Sequence, residues 1–311
     1  MRVVVAGAAG MIGSHMTEYL LGRGDEVVAV DSFITGRPEN LAHLEGREGY
    51  TFVEADVSMA LPVEGHLDAI CHLASPASPA DFTTMPAEIL RAGSLGTFNA
   101  LELARERGAR LLLASTSEVY GEPMVHPQPE SYWGNVNTIG PRSCYDESKR
   151  FAEAAVSSFR RSFGIDTAIA RIFNTYGPRM RVDDGRVVSN FVVQALSGEP
   201  ITLYGDGSQT RSFCYVDDEV AGLVALLDSD HPGPVNIGNP VEFTVRQLAE
   251  LVLELTGSDV PLELRPLPED DPTQRRPDIS LARDALGWEP HTSLRDGLGP
   301  TIKYFRSELD R

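Results

Sequence analysis

A glycine-studded turn sits directly behind the first apolar run of the chain, and that junction limits what the rest can fold into. Arg2–Ala6 is apolar and β-branched, and Gly7-Ala8-Ala9-Gly10-Met11-Ile12-Gly13 follows at once and opens an amphipathic segment, Ile12–Arg23. In a strand–turn–helix unit, Gly7 permits the tight turn, Gly10 lets a pyrophosphate reach the backbone, and Gly13 lets the helix lie close to the strand. The helix N-terminus then offers N–H groups and a positive dipole end to phosphate. A plain glycine-rich βα turn would carry the same letters, so context has to decide. An acidic residue, Asp31, ends the second apolar run, where a carboxylate binds both ribose hydroxyls and repels a 2′-phosphate. Arg37, a little further on, pulls toward the phosphorylated cofactor, and the balance predicts NAD over NADP.

The same alternation continues. Candidate strands at Glu26–Val30, Tyr50–Glu54, Ala69–Leu73, Arg110–Ser115, Thr167–Phe173 and Pro234–Ile237 are short and mostly apolar throughout, the pattern of strands buried on both faces. Helical segments such as Glu88–Arg107 and Tyr145–Phe163 lie between them. Repeated βαβ units of this kind predict a Rossmann-like, doubly wound parallel α/β sheet. Beyond Gly177 the chain breaks into shorter pieces around Pro178, Gly185, Gly205, Gly207 and Pro266–Pro277, with helices expected at Val187–Ser197 and Val245–Thr256. This predicts a smaller, partly discontinuous C-terminal substrate domain, built from about 180–212 and 242–311, beside a cofactor domain of 1–179 and about 213–241.

Composition narrows the function classes. With 42% hydrophobic residues in 311, the chain can bury a large core. A net charge of −18 excludes a nucleic-acid binder, and it means that any anionic ligand must be met by a few local cations. Three scattered cysteines, Cys71, Cys144 and Cys214, fit reduced thiols and neither a disulfide frame nor a metal site. No leader pattern and no apolar run of membrane-spanning length is present, so a cytoplasmic protein with no membrane partner is expected.

The chemistry-bearing residues follow the fifth apolar run. Arg110–Ser115 leads into Thr116-Ser117-Glu118, and Tyr145 and Lys149, four apart, share one helix face. A phenol titrates near 10, and a neighbouring ammonium and the nicotinamide's positive charge both favour its phenolate. Tyr145 is therefore expected to act as base, Lys149 to acidify it and hold the cofactor ribose, and Thr116 to bond the reacting oxygen. Asp56 and Val57, ending the third strand, are placed near adenine, and Leu73 and Ser75, ending the fourth, near the cofactor's middle. Phe33, Thr35, Gly36 and Ala114 complete the expected cofactor set on this half of the chain.

Glycine turn, Thr-Ser strand end and Tyr/Lys pair together resemble the extended short-chain dehydrogenase/reductases. Within that family, the strings HLASPASP (His72–Pro79), LLLASTSEVYG (Leu111–Gly121), Gly140–Lys149, RIFNTYGPRMR (Arg171–Arg181) and Asp270–Ile279 are similar to the branch that decarboxylates UDP-glucuronate. The similarity covers nearly the whole chain. It departs at Ala92-Gly93, where the family has Thr-Asn, and at Pro38-Glu39, where it has basic residues. The resemblance implies oxidation at the sugar C4, loss of CO₂ and re-reduction to UDP-xylose, with NAD retained. It also implies Thr175 and Arg186 near the nicotinamide, and Ser117, Glu118 and Asn174 at the sugar. Arg275 would meet the sugar end of the substrate, Arg211 the diphosphate, and Tyr204 the uracil. Glu118 is the discriminating residue: a carboxylate beside the substrate's own would help expel it or route a proton to C5. Rival readings are a UDP-glucuronate 4-epimerase, a nucleotide-sugar 4,6-dehydratase and a non-catalytic NAD sensor. A homodimer is implied, through an apolar face made by Leu95 and Leu101 on one helix and Phe151 and Phe159 on another.

Overall fold

The apolar runs form one seven-stranded sheet, described by a computed structural model that covers residues 1–267 and 274–310. Its strands are β1 (Arg2–Ala6), β2 (Glu26–Asp31), β3 (Tyr50–Glu54), β4 (Ala69–His72), β5 (Arg110–Thr116), β6 (Thr167–Ile172) and a last one at Val235–Ile237. Their spatial order is β3-β2-β1-β4-β5-β6 and then 235–237, with every neighbouring pair parallel. Winding leaves β1 in one direction and resumes from β4 in the other, so a crevice opens where their carboxyl ends part. This is the expected Rossmann-like sheet.

Period-two alternation sends successive side chains to opposite faces. Val3, Val5 and Leu112 join Met16 and Leu20 of the helix Met11–Gly22 and Leu223 of the helix Val216–Asp228. Val4, Ile70 and Leu113 join Leu101 of Thr97–Arg107 and Val156 of Ser143–Phe163 on the other side. A third core, with Phe191, Leu248, Leu298 and Phe305, unites the helices Val187–Ser197, Val245–Thr256 and Leu294–Leu309. Beside it, Thr210–Ser212 pairs antiparallel with Glu242–Thr244 and parallel with Gln274–Arg275. Among the described residues, no helix is long and apolar enough to cross a membrane.

Two expectations need correction. The segment Glu88–Arg107 is not one regular helix: Pro86–Arg91 runs into a π-turn, Ala92–Gly96, before Thr97–Arg107. The glycines there let backbones close up, since a Cβ on Gly93 would lie 2.6 Å from Cβ of Ser148 and one on Gly96 2.9 Å from Val57. Leu101 does not belong to an outer face; it is fully buried against the sheet, whereas Leu90, Leu95, Phe98, Phe151 and Phe163 are exposed on these helices. Of the stretch Asp270–Ile279, residues 270–273 lie outside the described residues.

Gly13 carries the tightest constraint of the first βα unit, because a Cβ there would collide with the carbonyl oxygen of Gly7. Gly13→Ala should cost about 1–3 kcal/mol through this overpacking. Thermal melts check it: a midpoint within about 1 °C of wild type would contradict the close helix–strand approach.

Candidate active site

The crevice between β1 and β4 holds two adjoining cavities, of about 460 and about 110 Å³. Gly7, at φ +85°, closes their floor, and a Cβ there would come within 2.7 Å of the Ala74 nitrogen. Gly10 is the N-cap of Met11–Gly22, and no side chain caps it, so the helix opens its N–H groups to the space above. A Cβ on Gly10 would approach the protein only at Gly7 O, 3.3 Å away, and the residue lines both cavities. The conflict-free side of Gly10 is thus the ligand side. Met11, Ile12 and Gly13 line the larger cavity.

At the smaller cavity, Asp31 ends β2 with one carboxylate oxygen accepting Ala9 N–H and the other Phe33 N–H, both at 2.8 Å. Burial nonetheless pushes its carboxyl upward, so a pair of hydroxyl donors would complete its solvation. Thr35, Gly36, Asp56, Val57, Leu73 and Ser75 line this cavity. Phe33 does not: its ring stacks on Phe52 at 5.1 Å, and its part in the site is the backbone N–H given to Asp31. A dinucleotide fits this donor set, with phosphates at the helix end and ribose hydroxyls at Asp31.

The chemical end of the larger cavity lies where β5 stops. Thr116 is the last residue of β5, and its side chain lies near enough to the phenol of Tyr145, brought by the helix Ser143–Phe163, to favour its ionised form. The Tyr145 ring is buried and stacks on Phe82, with centroids 5.0 Å apart. Lys149, one turn on, donates to the carbonyl oxygen of Ala114 at 2.8 Å and stands 5.8 Å from the Tyr145 ring centre. Sequence reasoning expects this lysine to acidify the phenol, but the protein's own groups do the opposite. Burial pushes Tyr145 up to about 12; Glu118 and Asp146 add to this, against the opposing pull of Thr116 and Arg186. Burial likewise brings Lys149 down to about 8. Both groups are thereby biased toward neutrality, which a positive charge brought in by a ligand would reverse for the phenol.

Next to this pair is a compact ion cluster. Arg142 donates to Glu118 Oε2 at 2.8 Å, and Arg275 donates to the same oxygen at 3.2 Å. Arg275 is 1% exposed and also bonds the carbonyl oxygens of Ser117 and, at 3.0 Å, Gly121, while its Nε has no partner. Burial would raise the Glu118 carboxyl, but Arg275, Arg142 and Arg211 together hold it at about 2. The carboxyl is thereby held ionised, the form that offsets the charge of the guanidinium groups around it. Ser117, Asn174, Tyr204 and Arg211 line the same cavity, as do Thr175 and Arg186.

Three residues of this end escape the sequence reading. Arg142 carries a partial signal, standing three before Tyr145; Phe82 carries none, because its stacking on Tyr145 joins distant segments. Asp146 looks like an ordinary first-turn acid, yet burial and Glu118 push its carboxyl up to about 7, and its Oδ1 has no partner. Among the described residues, no group of three or more acidic, His or Cys side chains could hold a metal.

A glycine turn at a parallel-sheet switch point, joined by one cavity to a Thr–Tyr–Lys constellation, defines a nucleotide-cofactor enzyme of the short-chain type. The chain belongs to the NAD dependent epimerase/dehydratase family, which it matches over residues 3–238. It is 53% identical over 309 residues to UDP-glucuronic acid decarboxylase 1 of Arabidopsis thaliana, covering 99% of this chain and 71% of that one. UDP-glucuronic acid decarboxylase 1 of Xenopus tropicalis is 52% identical, over 99% of this chain and 73% of that one. Among solved structures, UDP-glucose 4-epimerase from Thermotoga maritima with UDP-glucose superposes with a TM-score of 0.90 at 31% identity, covering 99% and 100% of the two chains. UDP-glucuronic acid 4-epimerase from Bacillus cereus with UDP-glucuronic acid and NAD gives 0.86 at 28% identity, also covering 99% and 100%.

The Asp146 environment generates a pH prediction. Its folded value near 7 lies above an unfolded value near 3.9, so the folded state binds the extra proton and stability falls as pH rises through that window. Asp146→Asn removes this loss. Its melting midpoint should gain on wild type by about 2 °C or more between pH 5 and pH 8; a gap constant across that range would count against the buried carboxyl.

Proposed function

We propose that this chain converts UDP-glucuronate to UDP-xylose, by oxidation at C4, loss of CO₂ and reduction of the resulting ketone. The observation that carries the reading is the Glu118–Arg142–Arg275 cluster set beside the Thr116–Tyr145 pair: cations for an acidic sugar next to groups that handle a hydroxyl proton. The identity to UDP-glucuronic acid decarboxylases over nearly the full chain supports the same conclusion.

Gly7, Gly10 and Gly13 with Asp31 hold NAD, which supplies a reversible hydride acceptor and a positively charged ring. Tyr145 takes the proton of the C4 hydroxyl on its phenol oxygen, with Thr116 orienting the shared oxygen. The 4-ketone is β to the sugar carboxylate, so CO₂ departs and leaves an enolate on that oxygen, which takes a proton at C5 to give the ketone that is then reduced. Tyr145 and Thr116, aimed at the same atom, stabilise the developing charge. Arg275 and Arg142 select the anionic sugar, while Glu118 offsets part of their charge. Without that offset, tight ground-state binding of the carboxylate would oppose its loss. Arg211 and Tyr204 take the diphosphate and the base, and Asn174 and Ser117 flank the sugar. The segments 180–212 and 242–311 supply Tyr204, Arg211 and Arg275 to this nucleotide-sugar half. The exposed residues Leu95, Phe98, Phe151 and Phe163 form the face of a homodimer, and the three buried free thiols suit a reducing cytoplasm.

Incubation with UDP-glucuronate, read by mass spectrometry, tests the reading. The expected product has lost the mass of CO₂; a product of unchanged mass would mean epimerisation, and no product at all would overturn enzymatic action on this substrate. Tyr145→Phe should lower CO₂ release by about 10²–10⁴-fold with UDP affinity kept. Glu118→Gln should slow CO₂ release while tightening or preserving UDP-glucuronate binding. Weaker binding with unchanged turnover would refute the charge-offsetting role.

A further inference from the structure

Arg37 stands where the choice between the two dinucleotides is made, and the fold ties it elsewhere. Gly36 rests on the Asp31 carboxylate, for a Cβ there would come within 2.7 Å of Oδ1. Arg37 follows, with its N–H donating to Ala9 O at 3.0 Å, so its backbone is fixed at the rim of the smaller cavity. A guanidinium in this position ordinarily accommodates a 2′-phosphate. Here the side chain reaches the C-terminal helix Leu294–Leu309 instead. Its Nη2 lies 2.6 Å from a carboxylate oxygen of Glu308, its Nη1 donates to the Tyr304 hydroxyl at 3.3 Å, and its Nε is 3.5 Å from Glu39. The guanidinium does not line the cavity. The Glu308 side chain is 6% exposed. Releasing Arg37 to a ligand would therefore strip a nearly buried carboxylate of a close cationic partner, a costly exchange.

We infer that Glu308 is a second determinant of NAD over NADP, acting by withholding Arg37 from the 2′ position. The inference rests on the reading of the smaller cavity as the adenosine-ribose site. Asp31 repels a 2′-phosphate from within that cavity, and Glu308 removes the cation that could have attracted one. Two independent exclusions at one atom make the effect non-additive: neutralising Asp31 alone leaves the phosphate without Arg37, and freeing Arg37 alone leaves it facing Asp31.

Affinities for NAD and NADP, measured by calorimetry on the full chain, form the test. The set is wild type, Asp31→Ser, Glu308→Gln and the double variant, each checked by thermal melt. The double variant should bind NADP more tightly than the product of the two single effects by about fivefold or more. Adding Arg37→Ala to the double variant should abolish that gain. Multiplicative single effects overturn the proposal, and so does a gain that survives Arg37→Ala, which would assign it to Arg91 along the same cavity. Should Glu308→Gln fail to fold, Arg37→Ala in the Asp31→Ser background decides instead. NADP affinity should then change less than about twofold, within the additivity expected of uncoupled groups, and a larger drop would show that Arg37 already reaches the phosphate. A wild type that prefers NADP overturns the Asp31 reading and this inference with it. A wild type that prefers NAD but shows no coupling overturns Glu308 alone.

Discussion

One carboxylate oxygen, Oε2 of Glu118, is shared by two guanidinium groups that come from separate segments of the chain. Arg142 comes from the start of the helix that carries Tyr145, and Arg275 from a two-residue strand paired with Thr210–Ser212. Glu118 itself follows the last residue of the central strand β5. The contact therefore fixes the sheet end, the catalytic helix and the C-terminal half against one another. A buried guanidinium is tolerable only when its charge and most of its N–H groups are met. Arg275 meets that condition through Glu118 and the carbonyl oxygens of Ser117 and Gly121.

The surroundings reinforce the same junction. Gln128 is fully buried, gives its N–H to Arg276 O and takes Arg276 N–H on its side-chain oxygen, clamping the residue beside Arg275. Asn236 in the last sheet strand accepts from the Tyr120 hydroxyl and donates to Gln128 O. Tyr120 ends the short helical turn that begins at Ser117. Arg171 of β6 bonds the same hydroxyl and grips Glu153 with two nitrogens. A buried, extensively hydrogen-bonded network of this kind is stiff, and it helps Glu118 keep its place.

Much of the cofactor half was legible because its physics is local. Gly7, Gly10 and Gly13 are read from a turn and a close approach within one βα unit, and Asp31 from its place at a strand end. Phe33 could serve the site through its ring or its backbone N–H, and packing sets its ring on Phe52 while the N–H goes to Asp31. The continuous helix expected over 88–107 failed for a related reason. Helical periodicity says nothing about how closely Gly93 must approach Ser148 on another helix.

By itself the sequence determined the strand-and-helix alternation of the parallel sheet, the glycine turn, and the pairing of Tyr145 with Lys149, since each depends on spacing within a strand or a single helical turn. Tertiary structure alone decided the electrostatics. Burial sets the sign of a charged group's perturbation, and the partners that offset it come from anywhere in the chain. Hence Tyr145 is pushed up although a lysine lies one turn away, Glu118 is pinned low by arginines from remote segments, and Arg37 is drawn off by a helix at the far end of the polypeptide.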